Sequence, residues 1–263
     1  MRVLFAPAKR MRTDNDVISH QTLPVFLNDA ERLRDWLRGL SREELRKLWQ
    51  CNDAILKQNI ERLSCMDLRS NLTPAILAYE GIAYQYMAPG VFEDNAFIWV
   101  QNHLRILSGF YGVLRPMDGV TPHRLEMRAK VTLQGKNLYA FWNRKLYEEI
   151  LDESGVFLNL ASTEYSQCVE TWHMPKDRFI TCVFGELCQG KVIQKGVHVK
   201  MARGRMVRLM AEHDVREPEE IQNFDVLGYR YDIEHSNRQT YVFLKSEEKD
   251  SPFTGEDSQI PCP

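Results

Sequence analysis

The sequence predicts a single mixed α/β (α+β) domain, a mixed sheet surrounded by helices, and three observations carry that prediction. Short apolar runs closed by proline or glycine alternate along the chain with segments of helical periodicity. A pair of strand-like runs turning near Gln189-Gly190 adds a hairpin to this alternation. No repeat or linker divides residues 1–245. A chain of 263 residues can bury a large core as one domain or two, and the missing linker decides for one.

Taken in order, Arg2 to Phe5 reads as a short buried strand ended by Pro7, and residues 12–28 read as irregular. A helical pattern runs from Asp29 to Leu40. Ser41-Arg42-Glu43-Glu44 is a capping-box signature opening a second helix. A third is expected from Asn52 to Leu63. The apolar run 75–79 reads as a buried strand closed by Gly81. Phe97, Val100, Leu104 and Leu107 share one face of a helix beginning at Asp94. Leu125 to Leu133 alternates as a strand does. Asn137 caps a helix in which Leu138, Trp142, Leu146 and Ile150 recur every four residues. Val156 to Ser162 is a strand, residues 178–195 a hairpin, and residues 197–212 a helix. A short helix over 217–223 and strands near 228–234 and 239–245 complete the domain. The tail 246–263 carries five acids against one lysine and is expected to be disordered.

Composition excludes several function classes. No run approaches the roughly 18 apolar residues of a membrane span, and the N-terminal apolar stretch is too short for a secretory signal. A cytoplasmic location without membrane contact is expected. The six cysteines form no C-x-x-C pair and the seven histidines no H-E-x-x-H, so neither a metal site nor a cofactor is predicted. Net charge is −2, yet residues 1–12 and 200–208 each hold four basic groups and no acid. Those two patches direct attention to anions.

Three places carry chemistry. In the helix 197–212, Ala202, Met206, Leu209 and Met210 lie on one side. Lys200, Arg203 and Arg208 spread over the other, around Gly204. A glycine there costs on the order of 1 kcal/mol, which asks for a reason: close approach of another backbone or of a phosphate, or else a glycine tolerated on a solvated basic face. The second place is Gly109-Phe110-Tyr111-Gly112, whose amides form a candidate anion nest beside Arg115, or simply a turn. The third is the strand end Asn159 to Tyr165, with Ser162 and Glu164, to which Lys9 after the first strand is the counterpart. From the residues themselves the expected ligand is a phosphate-like anion. Glu126, Ser162, Glu164 and Tyr165 are the acid–base and nucleophile candidates if the site is catalytic.

These segments, in this order, resemble the YaaA peroxide-stress family. The resemblance rests on Ala6-Pro7-Ala8-Lys9, Leu107 to Asp118, Pro122 to Met127, Asn159 to Tyr165 and Lys200 to Arg208. Three departures stand out: Ala6 replaces serine, His123 replaces tyrosine, and Ile82 replaces aspartate. The resemblance implies a cytoplasmic protein of the hydrogen peroxide response, with a positively charged cleft and a helix-hairpin-helix-like element, here Ser108 to Val113. It further implies binding to double-stranded DNA and protection from oxidative damage linked to free iron. On that expectation Lys9, Gly109, Gly112, Arg115, Arg124, Asn159, Lys200, Arg203, Gly204 and Arg208 meet phosphates. The alternative is an enzyme acting on a nucleotide or another phosphorylated small molecule in the same cleft. A compact pocket around Lys9, Arg124, Glu126 and Ser162 favours the enzyme, and an open groove of duplex width favours DNA.

Overall fold

A computed structural model describes residues 1–13 and 18–245. The acidic tail predicted for 246–263 lies outside the described residues. The chain opens with strand β1 (Arg2–Phe5) and the two-residue β2 (Arg10–Met11). Helices α1 (Leu27–Arg38), α2 (Arg42–Trp49) and α3 (Asp53–Ser64) follow where their periodicity places them. The capping box is present: the Ser41 hydroxyl accepts from the Glu44 amide at 3.3 Å, and Glu44 accepts from the Ser41 amide at 2.7 Å.

Next come β3 (Thr73–Pro74), α4 (Ala75–Ala78), β4 (Tyr79–Glu80), α5 (Ile82–Met87) and α6 (Asp94–His103). Here the expected strand over 75–79 is one helical turn followed by a short strand. All five side chains are buried, and an apolar run buried all round has no period to separate helix from strand. The helix expected to include Leu104 and Leu107 stops at His103, and β5 (Leu104–Ser108) takes over. Every residue of β5 is buried, so its leucines answer to two covered sheet faces and not to one helix stripe.

The short strands β6 (Gly112–Leu114) and β7 (Gly119–Val120) precede a stretch, 121–137, without a named element. The strand expected over 125–133 does not form there. The single helix expected from Asn137 is two, α7 (Leu138–Trp142) and α8 (Lys145–Ile150), because Asn143 breaks it at φ +49°. Strand β8 (Val156–Asn159), α9 (Thr163–Glu170), the hairpin β9 (Arg178–Cys188) and β10 (Lys191–Ile193), α10 (Gly196–Glu212), β11 (Tyr229–Tyr231) and β12 (Thr240–Lys245) finish the domain. Gln189 and Gly190 both have positive φ, as a tight hairpin turn of the favoured twist requires.

The main sheet has eight strands in the order β11-β12-β9-β8-β1-β5-β6, with β10 alongside β9. Its five central strands, β12-β9-β8-β1-β5, are all parallel, and β6 and β11 close the two edges antiparallel. After β1 the chain first builds outward to β5, then returns to the other side of β1 for β8. The direction of winding therefore reverses between β1 and β8. In open parallel sheets that reversal opens a crevice at the carboxyl ends of the strands, where ligands bind.

Candidate functional site

A cavity of about 580 Å³ occupies that crevice, within the roughly 300–1,000 Å³ typical of small-molecule sites. Its walls come from the segments that leave β1 and β8, Phe5–Arg10 and Leu160–Tyr165, and from the carboxyl end of β5 at Ser108. The pairing of β2 with β4 adds Arg10, Tyr79 and Glu80, α5 adds Tyr84, and α10 adds Lys200 and Arg203. The irregular segment His123 to Glu126 crosses the cavity.

Eight of the predicted site residues line this one cavity: Lys9, Arg124, Lys200 and Arg203 among the cations, and Glu126, Ser162, Glu164 and Tyr165 among the catalytic candidates. Glu126 ties part of the set together. One carboxylate oxygen lies 3.5 Å from Lys9 Nζ and 3.4 Å from Arg124 Nη2. Arg124 Nη2 also donates to the Trp49 carbonyl at 3.2 Å, which fixes the guanidinium from behind. Glu164 accepts from the Arg128 amide at 3.1 Å. Ser162 occupies the N-cap position of α9 without capping it, so its hydroxyl stays available to the cavity.

Arg203 is different. Among the described residues no carboxylate lies within ion-pairing distance of it, and its Nε is out of contact with solvent and without a hydrogen-bond partner. Burial lowers its affinity for the proton, opposed by the Cys182 sulfur. Cys182 is itself buried, which pushes its thiol up to about 12 and leaves it uncharged at neutral pH. A desolvated cation with no anion beside it is costly to keep, and the cavity is where an anion can reach it.

The remaining predicted contacts lie elsewhere, each for a structural reason. Gly109 and Gly112 belong to a buried hairpin between two strands, β5 and β6, and not between helices. The Ser108 hydroxyl accepts from the Phe110 and Tyr111 amides at 3.2 and 3.1 Å, so the expected nest is already filled from within. A Cβ on Gly109 would stand 2.4 Å from the Leu125 carbonyl oxygen: this glycine seats the segment that carries Arg124 and Glu126. Gly204 is where α10 meets α5, with an ideal Cβ 1.9 Å from the Ala83 oxygen. Of the two reasons for that glycine, approach of another backbone is the one realised. Asn159 is buried and binds Thr181 and the Ala161 amide. Arg208 pairs with Glu212 at 2.6 Å. Arg115 faces a separate cavity of about 320 Å³ and pairs with Glu149 at 3.5 Å.

Comparison with known proteins supports the motif reading. The family model described as peroxide stress protein YaaA matches residues 1–235. The chain belongs to the YaaA peroxide stress family. A UPF0246 protein of Agathobacter rectalis is 52% identical over 244 residues, covering 92% of this chain and 98% of the relative. Its counterpart in Desulfitobacterium hafniense is 50% identical over 247 residues, covering 94% and 98%, and that of Pediococcus pentosaceus 44% over 248, covering 94% and 99%. Membership in the YaaA family gives the chain a role related to peroxide stress. The three departures noted from the YaaA motifs, Ala6, Ile82 and His123, all line the cavity. No helix among the described residues is long and apolar enough to cross a membrane.

Sequence reasoning missed Tyr79, Glu80, Tyr84 and Arg10 as site residues. Their one signal was Gly81 after the apolar run, where a Cβ would stand 3.1 Å from the Ala8 side chain beside the cavity. His123 was noted only as a departure. Its Nδ1 lies 3.0 Å from the Thr121 carbonyl, so that nitrogen carries the proton in the neutral ring. Burial lowers its pKa from 6.5 to about 4. Below pH 6.5 the unfolded chain therefore binds a proton that the folded one refuses, and stability falls as pH falls. Between pH 6.5 and about 4 the loss from this residue is about 1.4 kcal/mol per pH unit. Urea unfolding of His123→Gln across that window is expected to give a shallower acid limb than the parent. An unchanged limb overturns the assignment.

Proposed function

We propose that this YaaA family member binds a small phosphorylated molecule in the crevice between β1 and β8 and acts on it there. The observation that carries the reading is Arg203: a half-buried guanidinium whose Nε is out of contact with solvent and which has no carboxylate beside it, on the wall of a cavity at the point where the winding of a parallel sheet reverses. Arginine's fork matches a phosphate or carboxylate through two donors at once. Lys200 and Lys9 add exposed positive charge at the mouth. The acids beside them supply what a bare phosphate clamp lacks. Glu126, held between Lys9 and Arg124, and Ser162, free at the head of α9, are the proton acceptor and the nucleophile or hydroxyl donor of this reading.

Thermal and chemical unfolding of the full chain with phosphorylated small molecules tests it. A ligand present at 100 times its dissociation constant is expected to add about 2.7 kcal/mol of stability. If no phosphorylated compound shifts the transition at millimolar concentration, the reading fails.

Double-stranded DNA is the second reading, and the exposure of Lys9, Arg10 and Lys200 around the mouth favours it. Phosphates of a duplex resting on those side chains give binding that weakens with salt, each contact adding about 0.9 to the slope of log K against log salt. A slope shallower by about 1.8 in a variant with Lys9 and Lys200 both changed to alanine is the expected result. Duplex affinity that is indifferent to salt removes this reading. Protection from damage linked to free iron then follows from DNA coverage or from chemistry in the cavity, and peroxide survival of cells carrying Arg203→Met separates the two.

A further inference from the structure

The cavity has a polarity from floor to mouth. At its mouth stand exposed cations, with Lys9 and Arg10 presenting 70% and 83% of their side chains to solvent. Its floor is made of buried groups, Phe5, Tyr79, Tyr84, Ser108 and His123. These are aromatic and packed on one another: Phe5 against Tyr84 at 5.5 Å, Tyr79 against Tyr84 at 5.5 Å and against His123 at 6.2 Å, with Phe110 stacked behind His123 at 4.9 Å. A phosphate has no use for such a floor. A flat, weakly polar ring does.

Two polar atoms on that floor lack their full complement. Tyr79 is 3% exposed, and its hydroxyl neighbours the Ser108 side chain without a well-formed acceptor for its own proton. Both lone pairs of its neighbour Ser108 are engaged by the Phe110 and Tyr111 amides. His123, protonated on Nδ1 through its bond to Thr121, keeps Nε2 as an acceptor. A buried O–H proton left without an acceptor costs free energy that a ligand can return.

We infer that the ligand is a nucleoside phosphate that enters base first, its ring edge on the Tyr79 hydroxyl and His123 Nε2 and its phosphate on Arg203 and Lys200. This rests on the phosphorylated-ligand reading above and narrows it. Tyr79 donates to a ring nitrogen or carbonyl of the base, and His123 accepts from an adjacent N–H. A donor beside an acceptor is the pattern on the pairing edge of every nucleobase. Sugar phosphates carry the anion and no such ring.

Calorimetric titration of the full chain with AMP, CMP, ribose 5-phosphate and inorganic phosphate tests the inference, with Tyr79→Phe in parallel. At least one nucleotide is expected to bind about ten-fold or more tighter than ribose 5-phosphate, the worth of a ring and its edge contacts. Tyr79→Phe is expected to weaken that nucleotide about five-fold and to leave ribose 5-phosphate unchanged, which also shows that the variant folds. An oligonucleotide arm locates the source: tighter binding of a single-stranded oligomer than of the free nucleotide, still sensitive to Tyr79→Phe, supports the base site and assigns it to a strand. Equal binding of ribose 5-phosphate and nucleotides, or indifference to Tyr79→Phe, overturns the base site while leaving the phosphate site standing. No binding of any of the four probes overturns both.

Discussion

Gly204→Ala is expected to destabilise the chain by about 3 kcal/mol, the upper end of the overpacking range. On helix propensity alone the same change stabilises by on the order of 1 kcal/mol, so the sign itself is diagnostic. The added methyl meets the Ala83 carbonyl oxygen at 1.9 Å, its carbon at 2.8 Å and the Met87 amide nitrogen at 3.0 Å. None of these is the end of a flexible side chain. All three are backbone of α5, a helix held in place because Tyr84 donates to the Ala6 carbonyl and is buried against Phe5. To admit the methyl, α10 must slide away from α5, and Arg203 moves with it. For a chain of this size the expected fall in Tm is about 2–4 °C per kcal/mol, read by calorimetry. A stable Gly204→Ala protein that loses only its ligand returns the glycine to the role of a phosphate contact and sinks the packing account.

This glycine also shows where sequence reading stops. Its cost in a helix demanded a reason, and both reasons, backbone and phosphate, were visible from the residues. Choosing between them needed the position of Ala83, 121 residues away and on a helix that no motif marked. The same holds for Gly109, whose reason is the Leu125 carbonyl and not an anion. Elements with a clean period or a cap were legible: α1 to α3, the β9–β10 hairpin and α10 lie where pattern placed them. Those buried all round, such as 75–79 and 104–108, carried no period to read. Within the site, the segments that leave β1 and β8 were legible because a strand end followed by lysine or serine is a place where ligands gather. Tyr79 and His123 were not, because the ring contact that sets them side by side on the cavity floor joins residues 44 positions apart, and such a contact leaves no mark in a sequence.

The spread of the predicted contacts changes the physical picture of the YaaA chain. Arg115 faces another cavity, Arg208 is bound to Glu212, and Asn159 is spent inside the sheet. What is left is four cations converging with three carboxyl or hydroxyl groups and Tyr165 on one cavity. Convergence of like charges at a single crevice is costly unless an anion offsets it, and Glu126, which both Lys9 and Arg124 approach, offsets part of that repulsion.

Arg203 is the residue on which that completion depends, and Arg203→Met separates function from stability most sharply. Methionine keeps much of the stem's volume and removes the charge. Affinity for a phosphorylated ligand is expected to fall roughly 10- to 100-fold, the worth of charge-assisted hydrogen bonds lost from a desolvated site. Stability without ligand is expected to stay level or rise, because a half-buried guanidinium whose Nε is out of contact with solvent, has no partner and faces no carboxylate is a net cost to the empty protein. Arg203→Lys refines the point: a lysine restores a single positive charge but not the planar fork, so it recovers part of the affinity and not its geometry. Denaturant melts of the three proteins, with and without ligand, give the stability and the ligand affinity of each. Should Arg203→Met instead weaken the empty protein and bind the ligand as before, the guanidinium serves the fold through a contact of its own, and the crevice must find its anion elsewhere.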